Sequence, residues 1–249
     1  MDSGWYIGID GCRGGWLFSV LDDNRELNIK LFRNLTDGID LLRQSEAVSI
    51  DMPMGIVSEK GEERVCDALA RKELGHPFSS SVFNVPCRQA VYAGSYPEAN
   101  ALNREIQGKG ISIQAWNIVP KIKELDMFLD EHPILKEKLH ESHPELCFKN
   151  LKGAALSYKK KTVEGVRERL VLLKTLYPNI EKHFHVFRNQ FFKKDVVDDD
   201  VLDSMVLVFN AMEIAKGNYN QFPDCERKNN CGIRMVVFIG NMDLTIRNK

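Results

Sequence analysis

The chain has 249 residues, 43% of them hydrophobic and 28% charged, with a formal net charge of -1 at pH 7. That is ample apolar material for one large core or two small ones, but no stretch approaches the roughly 18 consecutive apolar residues of a membrane-spanning helix. The near-neutral balance excludes a surface that attracts polyanions everywhere, so any nucleic-acid contact has to be local.

The cysteines Cys12, Cys66, Cys87, Cys147, Cys225 and Cys231 form no CxxC pair and no zinc-ligand spacing. They read as scattered reduced thiols, with a Cys225–Cys231 bridge as the alternative. The start, Met-Asp-Ser-Gly, carries no basic and apolar leader pattern. The expectation is a cytoplasmic protein with no membrane partner.

The chain is organised around Tyr6–Trp16, YIGIDGCRGGW. Ile7 and Ile9 alternate with Gly8 and Asp10, predicting a strand that ends at Asp10, and Gly11, Gly14 and Gly15 allow a tight return through WLFSV as a second strand. A carboxylate at the rim of a strand beside bare backbone is a candidate ligand; a turn-capping aspartate is the plainer reading. Asp22-Asp23-Asn24 signals a turn, and Glu26–Phe32 alternates as a third strand. Thr36 is placed to cap a short helix to about Gln44. Ala47–Asp51, AVSID, reads as a buried fourth strand that again ends in Asp, broken by Pro53 and Gly55.

Glu62–Leu74 predicts a helix with an Asp67–Arg71 pair at i,i+4. From Gly75 to Pro120 the periodicity is poor and Pro, Gly and Ser are frequent, which predicts a long irregular segment of the kind that forms binding loops. Arg88, Arg104, Lys109, Lys121 and Lys123 fall in or beside it, and they suit either a substrate surface or a solvated insertion. A helix is expected from Lys121 to near His132-Pro133, and a short helical turn over Ile134–Leu139.

HESHPELCF, His140–Phe148, reads as a fifth strand interrupted by Pro144. Glu141, His143 and Glu145 alternate, so one face would carry two carboxylates and an imidazole: a metal rim, or an exposed edge. Lys149–Lys174 holds eight basic and two acidic residues, including Lys159-Lys160-Lys161. That run is either a solvated helix face or a phosphate-contacting surface. Val196–Lys216 predicts a long helix, with Asp198 as N-cap, Gly217 as its stop, and an apolar stripe through Leu202, Met205, Val206, Phe209 and Met212. Asp200 and Asp203, spaced i,i+3, share a face. Early acids favour the helix dipole, but Asp203 sits one turn inside, where an apolar residue would pack better. Ile233–Ile239 predicts a last strand.

The order of three hairpin-linked strands, helix, strand, helix, strand and final helix resembles the RNase H-like fold, and within it the RuvC-type Holliday-junction resolvases. The likeness rests on the Asp of GIDG, the acid of SIDMP, and DVLDSM opening the last helix. GIDGCRGGW, RVCDALARKELG, SSVFNVP, GKGISIQAWNIVPKI and ESHPELCF are more closely similar to a little-characterised family described as predicted nucleases of that fold, over roughly residues 5–216. Two departures from the resolvases stand out: the fourth strand ends in Asp where they carry Glu, and residues 75–120 have no counterpart.

The resemblance implies an α/β fold, one RNase H-like domain over residues 1–249 with a mixed five-stranded sheet flanked by helices, and an insertion at about 75–120. It also implies a nuclease that hydrolyses a phosphodiester by a two-metal mechanism with Mg²⁺ or Mn²⁺. Converging carboxylates repel one another unless a cation joins them, and Mg²⁺ takes hard oxygen ligands. Asp10 is assigned as the bridging ligand, Asp51 to one metal, and Asp200 with Asp203 to the other. Glu141 is an additional candidate ligand and His143 a candidate proton acceptor. Arg13, Arg88, Lys109, Lys159, Lys160 and Lys161 are the candidate substrate contacts, for structured DNA or RNA, with a homodimer as one oligomeric option. The alternatives are a binding module that has lost turnover and a hydrolase of a small phosphorylated molecule. A third alternative, a two-lobed actin-like sugar kinase or phosphatase, is weighed against by the lack of a second GIDG-type start.

Overall fold

The computed structural model describes residues 4–242. Three strands come first: β1 (Trp5–Cys12), β2 (Gly15–Leu21) and β3 (Leu27–Phe32). A single helical turn then leads into α1 (Ile39–Gln44), followed by β4 (Ser45–Asp51). The next helices are α2 (Val65–Leu74), α3 (Arg88–Val91), α4 (Tyr96–Gln107) and α5 (Ile113–Glu131). The chain continues through β5 (Leu139–Glu141), α6 (Pro144–Lys152), α7 (Val163–Leu176), α8 (Ile180–Arg188) and α9 (Asp198–Ala215). It closes with β6 (Tyr219–Phe222) and β7 (Val237–Gly240), a two-stranded ladder.

These elements divide into two compact units. One holds the chain up to Asp51, then Glu137–Asn220 and the residues from Phe238 on; the other holds Met52–Lys136 and Gln221–Val237. The first contains a mixed five-stranded sheet in the order β3-β2-β1-β4-β5. Strands β1, β2 and β3 are antiparallel, while β4 runs parallel to β1 and β5 parallel to β4. The sheet is the mixed, helix-flanked α/β architecture expected, with β1 at its centre. Asp22 closes the second hairpin by accepting from the backbone N–H groups of Asn24 and Glu26 at 2.9 and 2.8 Å.

Helix α9 packs across β1, β4 and β2 and is buried almost all round. Its contact with β1 depends on Gly8. A Cβ there would lie 2.2 Å from the Ser204 carbonyl oxygen and 2.3 Å from the Val208 nitrogen, so no side chain larger than hydrogen fits. Polar contacts fix the register of α9 on the sheet. Ser204 meets Ser19 at 2.9 Å, and the Asn210 amide donates to Ser49 and Ser142 at 2.8 and 3.0 Å while its oxygen accepts from Gly240 N–H.

The second unit is mostly helical, and residues 75–120 are not the irregular stretch the composition predicts. Helix α4 starts on a Ser95 side chain that accepts from Glu98 N–H, carries Pro97 in its first turn, and stops at Gly108 in the left-handed region. Helix α5 runs on from Ser112 through Pro120. A small core of Cys87, Ala90, Ala99, Ile111 and Ala115 joins them to α3. The segment expected as an insertion falls inside this unit, which begins earlier, at Met52.

Four further expectations are corrected. Strand β1 continues past Asp10 to Cys12, because the hairpin turn uses Arg13 and Gly14. His140–Phe148 is not one strand: β5 ends at Glu141, and Pro144, suited to a first helical turn where its missing N–H costs nothing, starts α6. The last strand is the short Val237–Gly240, outside the main sheet. Asp198 is the first residue of α9 rather than its cap. All six cysteines are unbridged, Cys225 and Cys231 included. Among the described residues, no helix is long and apolar enough to cross a membrane.

Candidate metal centre

Strands β1 and β4 run in parallel register with Asp10 abreast of Asp51. Gly8 lets α9 lie directly on β1, which brings Asp203, one turn into that helix, over the same strand ends. One carboxylate oxygen each from Asp10, Asp51 and Asp203 fall within 4.8 Å of one another. Asp10 and Asp203 are 7% and 2% exposed.

Three carboxylates so close, two of them buried and Asp51 half-buried, resist ionisation. Burial and then repulsion from Asp203, Asp51 and Asp200 hold Asp10 well above the usual carboxylate range. Burial, with Asp203 next, pushes Asp51 up to about 7. Asp203 is raised by burial, although Lys160 opposes the shift. Its two oxygens differ: Oδ2 accepts from Lys160 Nζ at 2.6 Å, whereas Oδ1 is buried with no hydrogen-bond partner. A buried carboxylate oxygen without a donor costs free energy that a cation would recover.

The other expected site residues spread out from this cluster. Asp200 lies close enough to raise Asp10, but its Oδ2 accepts the Val197 N–H at 2.8 Å and so caps α9. Burial raises Asp200 to about 6. Glu141, at the end of β5, is buried and adds to the upward shift of Asp51. His143 is half-buried in the N-cap position of α6, its carbonyl accepting from Leu146 and Cys147 N–H. Glu145 does not share a strand face with them: it is in α6 and forms a bidentate pair with buried Arg169 at 2.7 and 2.8 Å.

The lysine triplet divides. Lys159 and Lys161 are exposed, but Lys160 turns inward to Asp203, with Asp199 3.5 Å away. Burial alone would lower the Lys160 ammonium; Asp203, Asp10 and Asp51 outweigh that and hold it well above its ordinary value. A cavity of about 200 Å³ lined by Lys160, Lys161, Lys193, Asp198 and Asp199 opens beside it. Arg13 is exposed in the β1–β2 turn, next to Gly14, whose N–H donates to the Asp195 carbonyl. Arg88 and Lys109 belong to the second unit. Arg88 is engaged there by Asp126 and Asp130, each at 2.8 Å, while Lys109 is exposed on the lining of a cavity of about 260 Å³ with Arg64 and Arg71.

Sequence reasoning missed the inward role of Lys160 and the Glu145–Arg169 pair. The pair had a legible signal: His-Pro-Glu before an apolar run is a helix start, with Gly153 as its stop. Lys160 had none, since three consecutive lysines look alike until the loop places them.

Fold and site together define an α/β protein with a largely buried carboxylate cluster near the ends of its two central parallel strands. The family model described as "Protein of unknown function (DUF429)" matches residues 8–228, and the chain belongs to that family. Neither the curated proteins nor the solved structures compared with it gave a match.

Proposed function

We propose that this protein is an RNase H-like, divalent-metal-dependent phosphodiesterase whose substrate is nucleic acid. The observation that carries the reading is the buried, unpartnered Asp203 Oδ1 within the Asp10–Asp51–Asp203 cluster. The donor set fits Mg²⁺ or Mn²⁺: hard oxygens, high charge density, and neither thiolate nor imidazole among the three. When bound, such an ion polarises a phosphoryl oxygen and makes water more acidic.

Hydrolysis joins a water oxygen to phosphorus and breaks the bond to the leaving oxygen. One proton leaves the water and one reaches the leaving oxygen, so the reaction is balanced without a further reactant. Asp10, Asp51 and Asp203 would hold the cation beside the reacting phosphate. Glu141, the last residue of β5 and close enough to raise Asp51, is the candidate to accept the proton of the water, with His143 two residues further on as the alternative. Exposed Lys159 and Lys161 supply positive charge at the rim for neighbouring phosphates.

The test is cleavage of a panel of single-stranded, duplex and branched DNA and RNA in Mn²⁺ or Mg²⁺. The expected result is metal-dependent strand cleavage that EDTA stops and that Asp203→Asn lowers by at least about a hundredfold, the scale of removing an electrostatic contact made in the transition state. A second reading, hydrolysis of a small phosphoester, is favoured by the modest size of the cavity beside Lys160. Turnover of bis(4-nitrophenyl) phosphate or nucleotides, with every polymer left intact, would select it. Metal binding without any turnover would select a binding module.

A further inference from the structure

Lys160 is the cation this site already owns. Its loop is tied down on both sides. The Glu168 carboxylate accepts from the backbone N–H of Ser157 and Tyr158 at 3.0 and 3.1 Å and from Lys152 at 2.7 Å. Arg169 donates to the Tyr158 carbonyl at 3.3 Å, and the Thr162 hydroxyl caps α7 by accepting Gly165 N–H at 3.0 Å. Gly165 is needed for the loop to close, since a Cβ there would lie 2.0 Å from the Lys159 carbonyl oxygen. A backbone anchored this tightly aims one lysine of three into the carboxylates and leaves its neighbours in solvent.

The place it takes is informative. A two-metal site would need Asp203 and Asp200 to hold the second ion, about 4 Å from the first. One oxygen of each is engaged: Asp203 Oδ2 by the Lys160 ammonium at 2.6 Å, Asp200 Oδ2 by the Val197 N–H at 2.8 Å. Asp203 Oδ1 is buried and has no donor, in a residue with one carboxylate oxygen within 4.8 Å of oxygens of Asp10 and Asp51. The division is one oxygen for the lysine and one for a metal.

We propose that this site binds one divalent cation, through Asp10, Asp51 and Asp203 Oδ1, and that the Lys160 ammonium stands in for the second ion of a two-metal centre. Lys160 is thus a positioning residue: it orients Asp203 and supplies the charge that would otherwise come from a second metal. The inference rests on the reading of the three aspartates as a cation site.

Calorimetric titration of Mn²⁺ into the full chain tests it, alongside the Mn²⁺ electron paramagnetic resonance spectrum at saturation. Wild type is expected to bind one ion, with the spectrum of an isolated Mn²⁺. Lys160→Met is expected to bind two, with the exchange-coupled spectrum of a close pair, while Lys161→Met, its exposed neighbour, stays at one. Two coupled ions in wild type would overturn the inference and leave the phosphodiesterase reading standing, as would a single ion in folded Lys160→Met. No binding by wild type or by either lysine variant would overturn both. The wild-type spectrum decides the question by itself if Lys160→Met does not fold.

Discussion

At the scale of the residue, the site is a problem of charge. Asp51 at about 7 and Asp200 at about 6 are carboxylates kept partly protonated because burial first, and then neighbouring carboxylates such as Asp203, disfavour the anion. The sign of the resulting pH dependence follows. Their folded-state values lie above the unfolded value near 4, so the folded protein holds more protons than the unfolded chain between those limits. Their contribution to stability is complete below about pH 4 and is lost as the pH rises through about 6 and 7. In EDTA, the metal-free protein is expected to lose stability between about pH 5 and pH 7.5, and Asp51→Asn to lose roughly 1–2 kcal/mol less over that range. Chemical denaturation at a series of pH values measures this. Parallel curves for the two proteins would show that Asp51 does not carry the raised value. Saturating Mn²⁺ should flatten the wild-type curve, because bound cation stabilises the ionised form.

At the scale of the element, the centre exists because α9 lies against the backbone of β1. Gly8 sits where any Cβ would strike Ser204 and Val208 backbone atoms, which have no rotamer to yield. Gly8→Ala is therefore expected to cost about 1–3 kcal/mol of stability, the range for overpacking a close contact. It should also weaken Mn²⁺ binding at least tenfold, because lifting α9 moves Asp203 away from Asp10. Urea denaturation and metal titration of that variant check both; wild-type values in each would show that the close approach is not what assembles the site. The sequence was legible here where short-range signals were strong. Asp10 after an alternating strand, Asp51 ending the next parallel strand, and Asp203 inside an apolar stripe were all readable, and these three do converge. Alternation misled at His140–Phe148, where a three-residue strand gives way to a helix and the i,i+2 spacing of Glu141, His143 and Glu145 mimics a strand face. Residues 75–120 hid α4 and α5 because Pro97 and Pro120 look like breakers, although Ser95 with Glu98 and the stop at Gly108 mark a helix between them.

At the scale of the whole molecule, a formal net charge of -1 leaves little general attraction for nucleic acid, so the proposed substrate requires local positive charge, for which the rim lysines are the candidates. Lys160 is engaged with Asp203, which leaves Lys159 and Lys161 as the exposed members of the triplet and, in the proposed reading, its phosphate contacts. Replacing both with Ala should lower the slope of log affinity against log salt by up to about two, close to one unit for each phosphate no longer neutralised. An unchanged slope in a fluorescence-anisotropy titration would return those lysines to plain solvated surface. Composition alone could not sort these charges. The six basic residues first grouped as substrate contacts separate into exposed side chains, one half-buried counter-ion and an arginine held by Asp126 and Asp130.

The central claim, that Asp10, Asp51 and Asp203 form a divalent-cation centre, is tested most directly by a crystal of the full chain soaked in Mn²⁺ and measured for anomalous scattering. The account predicts a peak about 2.1–2.2 Å from one oxygen of each of the three carboxylates, the spacing of Mg²⁺-like coordination, and its disappearance in Asp203→Asn. A soaked crystal with no anomalous peak there, or with the peak retained in Asp203→Asn, would contradict it.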